Sequence, residues 1–540
     1  MHPNAIAQNP VNGLIYVADS DSDQISVIDP QQNQVIQTIS LAPYNKAPTG
    51  SVPDALTVSP DCQTLYVANA RNDDVAVIDL AHGPAKVKGL IPTAWYPSGV
   101  FLDGTGKQLF VLNAKGLGAG PNDIPISTAD TFTINGKTYP GVRDKIPFNG
   151  QIYPGIHDII IGSLSFVPVP NDQQLQSYTA QVEANNHVKT AAKSVETWAA
   201  ESKKVQQTFP IKHVIYVIKE NKTYDQIFGD IGKGNSDQTW AENGGNGGQT
   251  GFGEQYTPNE HKLANQFILF DNYYVDGESS KDGHNFLMQG IANDYVQKMR
   301  MAVESNRNHP DDLEGNNPAT HAAGGFLWDD AAKSGVSYRD YGEFAQMYNS
   351  NTGSWLPNVS YDPELWNNYD PNYAGWTLND SDTSRFDEWN KEFQQFVKNG
   401  NLPHLETVLM PTDHTGGAPG SPTPQAQVAQ NDYALGELVD AVSHSQYWKN
   451  TAIIVVQDDP QSGIDHVDAH RSPVLVISPY TQTGKIDSTF YDMMSVLKTL
   501  ELTLGMKPMT QLDAAATPMF NIFTTKPNFA PYTVQQRSIR

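Results

Sequence analysis

The stretch NPVNGLIYVADSDSDQISVIDP (9–30) returns fifty residues later as SPDCQTLYVANARNDDVAVIDL (59–80). Both copies run through a turn, a strand (IYVA or LYVA), an Asn/Asp turn and an alternating strand (ISVID or VAVID). A third copy opens 44 residues further on at DGTGKQLFVLNAKG (103–116). Its closing strand reads as GSLSFVPVP (162–170), displaced by a Gly-, Pro- and Asn-rich insertion. Short alternating strands at this period build four-stranded antiparallel units that bury an apolar face only against a neighbour, as propeller blades do. Three to four units fit into residues 1–170, fewer than a closed ring usually takes, so a partial β-propeller is expected there.

The pattern then changes. Residues 171–209 are polar and helix-prone, and read as a helical connector. From IKHVIYVIKENKTYDQIFGD (211–230) onward, apolar strands alternate with amphipathic helices, which predicts an α/β domain over 210–525 and a C-terminal tail over 526–540. One helix is expected around 424–446 and another in STFYDMMSVLKTLELTL, with Thr489 and Asp492 as a capping box and Gly505 as its stop. Residues 307–386, rich in Trp, Tyr, Asn and Asp without clear periodicity, read as an insertion beside the active face. The expected fold is therefore multidomain: an all-β N-terminal part, then an α/β part with a mostly parallel sheet flanked by helices.

The net charge of −24 argues against a nucleic-acid partner, which would need Lys and Arg lined along phosphates, and against anionic lipid surfaces. A single cysteine, Cys62, excludes intramolecular disulfides and cysteine-based zinc clusters. No run reaches the roughly 18 apolar residues of a membrane span, so stable membrane insertion is not expected. The first residues, MHPNAIAQNPVNG, show no signal-peptide pattern.

Four segments place ligand-type residues just after apolar runs. These are VIKENKTYD (Glu220, Asn221), VDGESSKDGHNFLMQG (Ser279, Ser280), LMPTDHTGG (Asp413, His414) and IIVVQDDPQSGIDHVDAHRSPVLVISPY. The last delivers Asp458, Asp459, Asp465, His466, Asp468 and His470 between two core strands. In open α/β sheets ligands bind beyond the carboxyl ends of the strands, so parallel neighbours would gather all four clusters at one edge. Carboxylates, an amide oxygen, a hydroxyl and imidazoles form a hard-to-borderline donor set that suits one or two divalent cations, Zn²⁺, Mn²⁺, Mg²⁺ or Ca²⁺. A serine just before a helix is placed either as an N-cap or as a nucleophile favoured by the helix dipole. The Asn/Gly-rich run ENGGNGGQTGFG (242–253) lacks a following G-K-[ST] and reads as a loop, and His213 reads as a structural residue of its strand.

IKHVIYVIKENKTYDQIFGD, GHNFLMQG and DDPQSGIDHVDAHRSPVLVISPY resemble the bacterial phosphoesterase family of the alkaline phosphatase superfamily, which includes phospholipases C and acid phosphatases. The resemblance covers roughly 210–525, and the N-terminal copies resemble YVTN-type propeller repeats. It implies that Glu220, Asn221, Asp458 and Asp459 hold a metal and that Ser280 attacks phosphorus. It further suggests that Asp413, His414, His466 and His470 form a second metal or phosphate-contacting group, with a single metal and phosphate-binding histidines as the alternative. His414 or His466 would protonate the leaving group, and His284, Asn285 and Lys222 are candidates for phosphate contact. Lys222 stands where relatives carry Arg. The expected activity is hydrolysis of a small-molecule or lipid phosphate ester through a phosphoseryl intermediate. An extracytoplasmic setting is expected from the architecture and the habit of the family. The alternative is an extracytoplasmic binding or adhesion protein whose propeller works beside an inert α/β domain. A sulfatase would need a C/S-x-P-x-R context that SSKDGH lacks.

Overall fold

The run HVIYVIK (213–219) has no polar alternation, so it can be a strand only if both its faces are covered. In a computed structural model of the chain it is the middle strand of five, every residue of it buried. The structure describes residues 2–536 apart from 127–130, 135–136, 141–144, 149, 243–250, 305–314, 316, 350–353, 358–359, 361, 417–419 and 461–462. Most of the 242–253 run therefore lies outside the described residues. The order across the sheet is Tyr338–Tyr341, Leu405–Met410, His213–Lys219, Thr451–Gln457, Val474–Ile477. The first four strands are parallel, in register Val214 beside Leu405 and His213 beside Thr451. The fifth runs antiparallel, Val456 opposite Val474.

Alternate residues of the middle strand face two separate cores. Val214, Tyr216 and Ile218 pack with helices Ser280–Gln289 and Met493–Leu504. Ile215 and Val217 pack with helices Pro258–Gln266, Asp382–Asn399 and Pro424–Ser443. The result is three layers, helix on sheet on helix. The cap of Met493–Leu504 differs from expectation: Asp492 itself is the N-cap, accepting from the Ser495 amide, because the helix starts three residues later than a Thr489 cap requires; Gly505 ends it at φ 81°. The segment read as an insertion supplies the edge strand Tyr338–Tyr341 and the helix Leu327–Ser334.

The N-terminal copies form antiparallel meanders. Pro3–Gln8, Ile15–Asp19, Gln24–Asp29 and Gln34–Ser40 make one four-stranded sheet, and Pro53–Val58, Thr64–Asn69, Asp74–Asp79 and Lys86–Pro92 another. Trp95–Leu102 and Gln108–Gly116 pair with Ser163–Pro168, so the displaced third closing strand does return to its sheet. Apolar residues of adjoining sheets pack together, Tyr16 and Ile25 with Leu65 and Ile78, then Tyr66 and Val77 with Val100 and Val111. Helices Asp172–Asn185 and Val188–Thr208 follow, the second docked on Met493–Leu504 through Trp198 Nε1, which donates to Met506 O at 2.8 Å. Among the described residues no helix is long and apolar enough to cross a membrane.

Candidate active site

Parallel neighbours bring the ends of their strands to one edge, and three of the four clusters meet there. Glu220 and Asn221 follow His213–Lys219, Asp458 and Asp459 follow Thr451–Gln457, and the helix Ser280–Gln289 begins beside them. The helix comes close enough for backbone-on-backbone contact: a Cβ at Gly283 would lie 2.2 Å from Asp458 O, and one at Gly277 2.8 Å from it. Only glycine fits at these two points.

The two serines divide their tasks by position. Ser279 is the N-cap residue, its amide donating to Asp282 Oδ1 at 3.0 Å. Ser280 is the first helical residue, and its Oγ donates to Asp459 Oδ2 at 2.9 Å and stands 3.5 Å from Glu220 Oε2. Asn221 Nδ2 donates to the same Asp459 oxygen at 3.1 Å. His284 Nε2 lies 2.9 Å from Glu220 Oε1 and 3.5 Å from Asp458 Oδ2, and its Nδ1 lies 2.8 Å from Glu343 Oε1.

The site is electrostatically unbalanced. Glu220, Asp458 and Asp459 are fully buried together. Burial pushes the Asp458 carboxyl well above its usual range, and the neighbouring Asp459 and Glu220 push it further. Burial raises Asp459 too, against hydrogen bonds from Asp458 and Asn221. Burial also works on Glu220, but the His284 hydrogen bond and charge more than offset it and hold the carboxyl low. His284 is held well above its usual value: burial opposes its charge, and Glu343 and Glu220 outweigh that. Neither oxygen of Asp458 accepts a hydrogen bond, nor does Asn221 Oδ1. Buried acceptors without donors are costly, and a divalent cation among oxygen donors is the chemistry that satisfies them.

The second suggested group is not brought together. Asp413 sits behind Glu220, accepting from its amide at 3.0 Å and facing Lys219 Nζ at 3.4 Å. His414 is close enough that its charge lowers Glu220, with its ring edge-on to Trp376 at 5.6 Å. His466 belongs to another cluster: its Nδ1 is 2.5 Å from Asp225 Oδ2, beside Asp465. Arg471 fills that cluster, its Nη2 3.0 Å from Asp225 Oδ1 and its Nε 3.0 Å from Asp465 Oδ1, so the cation there is a guanidinium. His470 turns to Asp468 at 3.0 Å, lining a cavity of about 430 Å³ between the blades and the α/β domain. Asn285 donates to Lys281 O at 2.8 Å along its own helix, and Lys222 Nζ donates to Asn221 O at 2.9 Å. Burial brings Lys222 down to about 8, opposed by Asp413 and Asp459. His213 is held by Pro403 O at 2.7 Å, in keeping with a structural place. Glu343 has no sequence signal; it lies just past a strand in the aperiodic segment.

A sequence model of the Phosphoesterase family matches residues 232–507. No curated protein matches. Among solved structures, a protein in the alkaline phosphatase superfamily from Vibrio parahaemolyticus is 19% identical, with 60% of this chain and 77% of that one covered and a TM-score of 0.38. A Bacteroides thetaiotaomicron protein from the metabolism of glycosaminoglycans is 12% identical over 60% of this chain and 83% of its own, TM-score 0.36. Hydrazine synthase of Kuenenia stuttgartiensis is 23% identical over 22% of this chain, which spans only 31% of that one, TM-score 0.19. With the family match running over half of its length, the chain belongs to the phosphoesterase family.

Proposed function

We propose that the chain hydrolyses phosphoric esters with Ser280 as the nucleophile and one divalent cation as cofactor. The observation that carries this is the hydrogen bond from Ser280 Oγ to Asp459 at the edge where Glu220, Asn221 and Asp458 converge. Glu220, Asn221, Asp458 and Asp459 would hold the cation: they present more buried oxygen acceptors than the protein's own donors satisfy. A cation bound there neutralises charge on the ester's phosphate and lowers the cost of ionising a hydroxyl. One site is favoured over two because Asp413, His466 and His470 have other partners.

Ser280 Oγ passes its proton to Asp459 and bonds to phosphorus as the bond to the leaving oxygen breaks, giving a phosphoseryl group. His414, beside Glu220, supplies the proton to the departing oxygen. Water then attacks phosphorus, the P–Oγ bond breaks, and a proton returns to Ser280 as phosphate leaves. The helix dipole at Ser280 and the charge on Lys222 both favour an anionic substrate. Phosphate is preferred to sulfate because the serine lacks the surrounding C/S-x-P-x-R context.

The test is Ser280→Ala beside wild type on chromogenic phosphate and sulfate esters, with metal content measured on both. Turnover of the phosphate ester should fall on the order of 10³-fold or more with metal content unchanged. Retained turnover removes Ser280 from the mechanism, and preference for the sulfate ester overturns the substrate class. A wild-type chain without metal or turnover would favour the binding-protein alternative.

A further inference from the structure

We propose that His284 is a nitrogen ligand of the same cation and that Glu343 is the positioning residue that aims it; this rests on the metal-dependent reading above. His284 stands one helical turn after Ser280 and is 3% exposed. Its Nε2, a Glu220 oxygen and an Asp458 oxygen all lie within 4.8 Å of one another, a spacing three donors to one ion can share. The other ring nitrogen faces Glu343 Oε1 at 2.8 Å, and Glu343 is 1% exposed.

A carboxylate against Nδ1 can only accept, so Nδ1 carries the hydrogen. The lone pair of the neutral ring is thereby on Nε2, aimed at Glu220 and Asp458. Three electron-rich atoms pointing at one another repel unless something positive lies among them. In the apo chain a proton on Nε2 can serve; a divalent cation serves both carboxylates and the nitrogen at once. A ligating histidine that donates its second N–H to a carboxylate is the usual form of such sites. The Asp225–Asp465–His466 cluster gives the contrast, since there Arg471 supplies the charge. Among the described residues no lysine or arginine forms an ion pair with Glu220 or Asp458; His284 is the partner of both. Glu343 reaches this position because the edge strand Tyr338–Tyr341 ends at the same side of the sheet as the catalytic strands.

The experiment uses the full chain, stripped with a chelator and titrated with Mn²⁺. Wild type, His284→Asn and Glu343→Gln are each followed by equilibrium binding and by pulsed electron paramagnetic resonance for ¹⁴N coupling to the ion. Asn keeps a donor towards Glu343 while removing Nε2, which protects the fold, and apo melting curves confirm that each variant is folded. Wild type should show a directly bound nitrogen, and His284→Asn should lose it. Glu343→Gln should weaken Mn²⁺ binding about 10- to 100-fold. Retention of the ¹⁴N signal in His284→Asn, or its absence from a wild type that binds Mn²⁺ and turns over phosphate ester, overturns the ligand assignment alone. Binding within twofold of wild type in Glu343→Gln overturns the role of Glu343. A wild type that neither binds Mn²⁺ nor turns over ester overturns the underlying function as well.

Discussion

Asp458 carries two buried oxygens with no hydrogen-bond donor, beside two further carboxylates. In the apo chain this is a net cost, because like charges in a low-dielectric site repel and none is solvated. Asp458→Asn removes one charge at nearly constant volume. The apo variant should unfold a few degrees higher than wild type, while its affinity for divalent cations drops at least about tenfold; calorimetry and Mn²⁺ titration check the two halves. Opposite signs on stability and affinity are what a ligand residue gives, whereas a helix or turn cap would lose stability alone. At this scale the sequence was legible wherever a ligand-type residue directly followed an apolar run, as with Glu220, Asn221, Asp458 and Asp459. It was illegible where orientation decides. His466 and His470 stand in the same stretch as Asp458, yet Asp225 and Asp468 engage their rings. That choice depends on Arg471 folding back onto residues more than 200 positions away.

Strands and helices followed the apolar pattern closely, since a run such as TAIIVVQ (451–457) has no other way to satisfy its backbone in a core. The edge strand Tyr338–Tyr341 escaped notice because YRDY is half polar and only one side of it has a ladder partner. The start of Met493–Leu504 slipped because Thr489 and Asp492 both fit a cap, and packing chose the later one. One strand carries a titration of its own. Glu406, on Leu405–Met410, is fully buried with Trp389 Nε1 donating to it at 3.0 Å. Burial raises its carboxyl from 4.5 to about 8. Between those values the folded chain holds a proton that the unfolded chain has released, so stability falls as pH rises, by at most about 1.4 kcal/mol per pH unit. Glu406→Gln should flatten that slope between pH 5 and 8, read from denaturant midpoints at several pH values; an unchanged slope would assign it to other groups.

Across the whole molecule, the N-terminal sheets are fastened to the catalytic domain next to its nucleophile. Lys115, at the end of Gln108–Gly116, pairs with Glu278 at 2.6 Å, and Arg300 holds the same carboxylate. Burial works against Glu278, but Arg300 first and Lys115 next more than offset it and keep the carboxyl low. Lys115→Met should cost about 1–3 kcal/mol, because Glu278 stays buried with one cation in place of two. Turnover should drop as well, since Glu278 lies two residues before Ser280; thermal unfolding and steady-state kinetics measure each effect. An equal Tm with unchanged turnover would make the contact incidental. A second fastening sits nearby: Asn122 donates to Gly463 O at 2.7 Å and to Pro154 O at 3.0 Å, and accepts from the Asp465 amide at 2.8 Å. One carboxamide thus sews the excursion of the third sheet to the loop that leaves Asp459. Prising the halves apart would strand three buried polar groups at once, so they are built to melt cooperatively, in a single step.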